Sequence, residues 1–360
     1  MDIKTKIKNL PNYKKYLQVV GSIEEYLNSH NFQKLDLPVL LPSLIPESYL
    51  EVFETEYIFF DQKEKMYLTP SPELLIKRLI TEGIGDCYYL GKSYRNSEPA
   101  SRRHLGEFTM LEMYKINASY MEMAELVLEM MRSILQRIQS NPKLEIRNSK
   151  INYRGLEVDL EKWEKISVAE AFEKYAGITP VELFDHEKFI NKARIKGYKV
   201  DRNIQHSINS YTPTPYTLHP TTYSYEELWS QIYSNEIESH LGTNGFPTLI
   251  YNYPVEFASL SKPNSDGKTA QRFEFYVAGL ELGNCYGELT DYKLQEKRLQ
   301  IEQQERIKSG KIQHKPDLGF LDALKKGMPE CSGIAIGVER LAMIFANLNS
   351  IDELKLISLE

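Results

Sequence analysis

Residues 91–114, GKSYRNSEPASRRHLGEFTMLEMY, read as a strand, a polar loop and a second strand. Alternate side chains of a strand share a face, so Phe108, Met110, Glu112 and Tyr114 point the same way. A carboxylate between a Phe and a Tyr on an otherwise apolar face requires a cation or a hydrogen-bond network. The loop holds Arg95, Arg102, Arg103 and His104, a set suited to gripping phosphate or carboxylate. Taken alone, the stretch also describes a hairpin with a solvated, charged tip.

Two later stretches extend the pattern. In RFEFYVAGLELGNCYGELTD (272–291), Asn284, Tyr286 and Glu288 share strand parity, and Glu274 and Glu281 lie on either side of Gly279. Two acids beside a phosphate site hold magnesium, a hard cation that favours oxygen ligands. By themselves, alternating acids more often describe a half-exposed strand. In GMPECSGIAIGVERLAMIFA (327–346), Gly333, Ala335 and Gly337 let the backbone approach a neighbour closely, and Arg340 follows on an apolar, helix-like run. A lone Arg at such a place usually reaches solvent.

Outward from these stretches, residues 12–29 have the spacing of an amphipathic helix, with Leu17, Val20, Ile23 and Leu27 on the buried side. It runs into HNFQKLDLPVLLPS, where Pro38 and Pro42 forbid a continuing helix and impose an extended path. Ser119 and Glu122 form a capping box ahead of an apolar stripe through Leu126, Met130 and Leu135. Residues 203–225, rich in Thr, Tyr and Pro and without periodicity, read as a long surface loop. The C-terminal third returns to strands, beginning at PTLIYNYP (247–254). Strands on both sides of a helical middle predict an α+β domain spanning residues 1–360, with an antiparallel β-sheet flanked by helices.

Composition narrows the function classes. The 360 residues carry 44 basic against 50 acidic side chains, a net charge of −6, with no basic block of the kind that holds many phosphates. Extensive RNA contact is therefore not expected. Three dispersed cysteines make neither a disulfide framework nor a zinc site and read as buried thiols of a reducing compartment. The N-terminal stretch has no apolar core and no run is long enough to span a bilayer, which predicts a cytoplasmic protein without a membrane partner.

Together, the three motif stretches resemble motifs 2 and 3 of the class II aminoacyl-tRNA synthetases with the catalytic strand between them, and HNFQKLDLPVL resembles motif 1. The resemblance runs from about residue 12 to the end. TPSPELLIKRL (69–79), EFTMLEMY (107–114) and ELGNCYGELTD (281–291) look like segments of the lysyl branch. It implies ATP and Mg2+. Arg95 would bridge the amino-acid carboxylate and the α-phosphate, with Arg340 on the γ-phosphate and Arg103 and His104 near the distal phosphates. Phe108 would stack on adenine, and Glu98, rather than Ser97, would meet its amino group. Glu274 and Glu281 would hold the metal, and Glu281 would also border the nucleotide. Glu73 would take the α-amino group and Asn284 the substrate carboxylate. Glu112 and Glu288, with Tyr114 and Tyr286, would surround a side-chain ammonium, which agrees with the cation that two inward carboxylates require.

Motif 1 begins by about residue 30, which leaves no place in this sequence for the anticodon-binding domain of a lysyl-tRNA synthetase. The chain is similar to the stand-alone paralogues that modify elongation factor P, the β-lysyl ligases. Ala335 stands where lysyl-tRNA synthetases carry glycine, and IYNYPVEFASLSK (250–262) and KIQHKPDLGFLDALKKGMP (311–329) also look like that family. The implied reaction is adenylation of lysine or β-lysine followed by transfer to a lysine side chain of elongation factor P, with tRNA an unlikely acceptor. A homodimer is implied as well. Two readings compete. One is a ligase of the same chemistry that loads a carrier protein, peptide or small molecule; the other is a silent paralogue, against which Arg95, Glu274, Glu281 and Arg340 argue together. In motif 2 the sequence departs from the pattern, with Arg95-Asn96-Ser97-Glu98 at its start and Leu105-Gly106 near its end.

Overall fold

A computed structural model of the protein describes residues 2–96, 105–139, 149–199 and 220–359. An eight-stranded sheet organises it. In chain order its strands are β1 (Gln33–Leu35), β2 (Cys87–Tyr94), β3 (Glu107–Ile116), β4 (Glu164–Ser167), β5 (Thr248–Pro254), β6 (Thr269–Val277), β7 (Leu280–Gly287) and β8 (Cys331–Gly337). The spatial order is β4-β5-β6-β7-β8-β3-β2-β1. The two outermost pairs are parallel and every pairing between them is antiparallel. This is the α+β class that the alternating stretches predicted.

Three helices cover one face: α1 (Leu10–Ser29), α3 (Tyr120–Ile138) and α6 (Val338–Phe345). Between them in the chain come α2 (Glu73–Thr81), α4 (Pro220–Ile232) and α5 (Tyr292–Lys308). Leu111 and Met113 of β3, Ile334 and Ile336 of β8 and Phe273 and Phe275 of β6 pack there against Ile23, Met130, Ile134 and Leu341. Each such aliphatic side chain contributes about 1.5–3 kcal/mol on removal from water, so this layer carries much of the fold. The capping box at Ser119 forms as expected, its hydroxyl accepting from the Glu122 amide while the Glu122 carboxylate accepts from the Ser119 amide.

Two expectations need correction. Leu17 is 48% exposed; Val19 and Tyr26 join Ile23 and Leu27 on the buried side of α1, while Val20 is only partly covered. On that stripe the Tyr26 hydroxyl donates to Leu126 O and Glu129 Oε2 of α3. In the expected loop 203–225, residues 203–219 lie outside the described set, and Pro220–Ile232 is helix α4. The Pro at its first position suits a helix start, where its missing amide hydrogen is not needed.

Candidate active site

On the sheet face opposite those helices, register aligns the chemistry in rows. Tyr89, Glu112, Ala335, Asn284 and Glu274 follow one another across β2, β3, β8, β7 and β6. Two residues along, Cys87, Tyr114, Gly333, Tyr286 and Arg272 make a second row. The parity predicted for Glu112 with Tyr114, and for Asn284 with Tyr286, is thus the parity observed.

Glu281 joins the same face through a bulge. Phe275 pairs with Gly283 but Tyr276 pairs with Glu281, which leaves Leu282 as an extra residue. Without it, Glu281 would share parity with the buried Gly283 and Cys285 and point into the helix layer.

At one end of the rows is a buried carboxylate pocket. Glu112 is 2% exposed and accepts hydrogen bonds from Ser71 Oγ (2.7 Å) and Tyr114 Oη (2.8 Å). Burial, reinforced by Glu73, pushes its carboxyl up to about 8. Glu288, just past β7, is 1% exposed; burial pushes it up to about 7 against the pull of Lys77. Its Oε2 lies 2.6 Å from Lys77 Nζ, and Oε1 receives no hydrogen bond of good geometry among the described residues. Lys77, 2% exposed, also contacts Glu73 one turn earlier on α2. Gly333 is required beside this pocket: a Cβ there would stand 2.3 Å from the Tyr114 ring and 2.6 Å from Glu288 Oε1.

The other end collects charge of both signs. The Arg95 guanidinium lies over the Phe108 ring, 5.4 Å from its centroid, and the Arg95 amide donates to Gly106 O (2.9 Å) across the motif 2 hairpin. Arg340, in the first turn of α6, donates to Glu281 O (3.1 Å) and lies 3.5 Å from Glu281 Oε2. Burial and then Glu274 push the Glu281 carboxyl up to about 7, while Arg340 and Arg95 oppose them. Glu274 is tied down: Arg272 Nη2 donates to one oxygen (2.7 Å) and Tyr276 Oη to the other (2.9 Å). Tyr276 is itself part of a buried tyrosine chain through Tyr233 to Tyr253.

Of the residues singled out in the sequence, Glu73, Arg95, Phe108, Glu112, Tyr114, Glu274, Glu281, Asn284, Tyr286, Glu288, Ala335 and Arg340 are described. The sheet register and flanking helices bring them to one face. Ser97, Glu98, Arg102, Arg103 and His104 lie outside the described residues.

Several contributors escaped the sequence reading. Arg272 donates to Asn284 Oδ1 (3.1 Å) and Phe257 O (2.6 Å) and stacks on Tyr253 at 4.5 Å. Asn284 Nδ2 donates in turn to Tyr286 Oη (3.0 Å). Glu339, next to Arg340, accepts from the Thr109 amide with both oxygens at 2.9 Å and so fastens α6 to the strand that carries Phe108. Glu47 is pushed up to about 7 by burial and by Glu73, while Arg95 opposes both. Arg272 was available in the quoted RFEF run and Lys77 in TPSPELLIKRL, four residues from Glu73. Both look solvated until the fold buries them.

Two carboxylates, Glu274 and Glu281, lie side by side here, Glu274 paired with Arg272 and Glu281 with Arg340. Among the described residues no group of three or more His, Cys, Asp or Glu side chains converges as a complete metal cage. The profile of the tRNA synthetases class II (D, K and N) matches residues 2–357. The chain belongs to this family.

Among curated relatives, the elongation factor P–(R)-β-lysine ligase of Avibacterium paragallinarum is 32% identical over 95% of this chain and 94% of its own length. The ligase of the same name from Buchnera aphidicola subsp. Schizaphis graminum is 31% identical over the same shares of the two chains. A lysine–tRNA ligase of Prochlorococcus marinus (strain MIT 9301) is also 31% identical, but the matched region spans 94% of this chain and 60% of that protein. Among the described residues no helix is long and apolar enough to cross a membrane.

Proposed function

We propose that this synthetase-family protein activates a lysine-type diamino acid with ATP and transfers the acyl group to a lysine side chain of elongation factor P. The observation that carries this reading is the pair of inward carboxylates, Glu112 and Glu288, buried on neighbouring parts of one pocket and both held above their ordinary range. Carboxylates so placed gain most from an ammonium ligand. The ligase relatives, matched along nearly their whole length, support the protein acceptor.

In this reading Glu73 receives the backbone amine of the substrate and Glu112 and Glu288 receive the distal ammonium, with Tyr114 and Tyr286 as walls. Asn284 already gives one amide hydrogen to Tyr286, so its second is available for the substrate carboxylate. Ala335, between Glu112 and Asn284 in the row, leaves the floor open. Adenine stacks on Phe108, Glu98 meets its amino group, and Arg103, His104 and Arg340 hold the outer phosphates. Glu274 and Glu281 would hold a magnesium ion through their carboxylate oxygens, and the bound ion would supply charge neutralisation beside the phosphates.

Arg95 aligns the substrate carboxylate with the α-phosphate. A carboxylate oxygen attacks the α-phosphorus, the bond to the bridging oxygen breaks, and pyrophosphate leaves with an aminoacyl adenylate behind. The ε-amine of the acceptor then attacks the carbonyl carbon, AMP leaves, and the amine proton passes to solvent. No protein nucleophile is used; catalysis rests on alignment and charge neutralisation.

Pyrophosphate exchange over a panel of amino acids tests the first half. Exchange with lysine or (R)-β-lysine is expected, and none with any lysine analogue refutes the reading. Mass spectrometry of elongation factor P after incubation with ATP and the active amino acid tests the second half. A gain of one acyl group is expected, and an unchanged mass beside robust exchange moves the reaction to another carrier.

A further inference from the structure

The carboxylate pocket contains a cation of its own. Lys77 Nζ touches Glu73, its neighbour one turn back on α2, and lies 2.6 Å from Glu288 Oε2. Burial works against its charge, but Glu288 and Glu73 outweigh burial and hold the ammonium above the ordinary lysine range. As a purchase of stability such an arrangement is poor, because a buried ion pair usually does no better than apolar packing of the same volume. Its significance is in the charge it leaves.

Three carboxylates line the pocket: Glu73 on α2, Glu112 on β3 and Glu288 beyond β7. The other titratable groups facing it are the Tyr89, Tyr114 and Tyr286 hydroxyls and the Cys87 and Cys331 thiols, which burial keeps neutral, and Glu47, which couples to Glu73 from the Arg95 side and is opposed there by Arg95. Lys77 cancels one of the three negative charges, and two remain. A diamino monocarboxylic acid brings two ammonium groups, while its carboxylate goes to the Arg95 and Asn284 side. An amino acid with an apolar side chain of the same length brings one and leaves a buried carboxylate uncompensated.

The geometry points to Lys77 as the positioning residue that sets the charge of this pocket, bridging Glu73 and Glu288 so that two ammonium groups, and not one, complete it. This rests on the functional reading above and adds a residue that decides which amino acids the site accepts.

The test replaces Lys77 by Met, of similar length without charge, and by Gln, which keeps hydrogen bonding. Folding is checked by thermal melting, and exchange is measured from pH 6 to 9. In both variants the KM for the diamino acid at pH 7 is expected to rise on the order of tenfold, the effect of one pKa unit on one carboxylate. The pH above which KM levels off moves upward, kcat changes less than KM, and the KM for ATP stays put. A KM and pH profile like wild type in either folded variant overturns the inference while the functional reading stands; absence of exchange in the wild type sinks both.

Should neither variant fold, inhibition of the wild type by simple amines decides. With two charges to fill, 1,5-diaminopentane is expected to compete with the substrate at least tenfold better than pentylamine; equal inhibition refutes the charge count.

Discussion

Lowering the pH from 8 to 6 should weaken amino-acid binding far more than ATP binding. Glu112, at about 8, and Glu288, at about 7, must be ionised to receive an ammonium. At pH 6 the first is almost wholly protonated and the second largely so, and each substrate molecule must displace those protons. With tenfold per pKa unit, Glu112 alone raises KM by ~50-fold across this range and Glu288 alone by ~10-fold. Glu73 pushes both up and Lys77 pulls both down, so the two are not independent and the combined effect falls between the larger single figure and the product. The substrate's own ammonium groups stay charged throughout and add nothing. The assay is lysine-dependent pyrophosphate exchange at saturating ATP, with the KM for lysine measured every half unit. A KM for lysine that varies less than threefold between pH 6 and 8 would refute the buried, proton-holding pocket.

The same groups make the ligand-free fold less stable as pH rises. Carboxyls whose folded-state values exceed the ordinary carboxylate range hold protons that the unfolded chain has released, at about 1.4 kcal/mol per pH unit for each group still protonated. His314, at about 4, pulls stability the other way but is exhausted above pH 6.5, so Tm without substrate should fall from pH 6.5 to 8 and recover with added lysine. Glu288→Gln keeps the shape and removes the charge; lysine-dependent kcat/KM should drop at least a hundredfold, about 2.7 kcal/mol, and near-normal exchange would refute the ammonium assignment. Gly333→Ala drives a methyl against Tyr114 and Glu288, so a KM increase for the amino acid is expected together with about 1–3 kcal/mol of destabilisation in denaturant titration. Tyr276→Phe removes one of the two donors that hold Glu274, and the magnesium concentration for half-maximal exchange should rise several-fold with the KM for lysine unchanged.

What was legible in the sequence is what period and motif encode. Strand parity placed Glu112 and Tyr114 together without structural help, and Ser119 with Glu122 marked a helix start because a cap is a local device. Features that depend on a partner distant in sequence were not legible. Lys77 and Arg272 drew no reading from the sequence, because only the fold sets Glu288 and Asn284 against them. The spacing between Glu281 and Asn284 puts them on opposite faces of a regular strand, and only the bulge at Leu282 reunites them. Leu17 satisfied the helical period but is about half exposed, and Val19 takes the buried place.

Strand β8 is the last of the sheet to be synthesised and lies between β7 and β3. A growing chain that has emerged through residue 291 carries Glu112, Glu288, Glu274, Glu281 and Arg95 on two half-sheets with raw inner edges facing each other across a gap. Ser332–Ile336 pairs with β7 on one side and Cys331–Gly337 with β3 on the other, closing both edges in one insertion. Folding that depends on such distant pairings is slow, and open strand edges invite wrong partners while it lasts. The catalytic face should therefore appear all at once and late, and truncation within β8 should yield aggregating chains rather than a weakened enzyme.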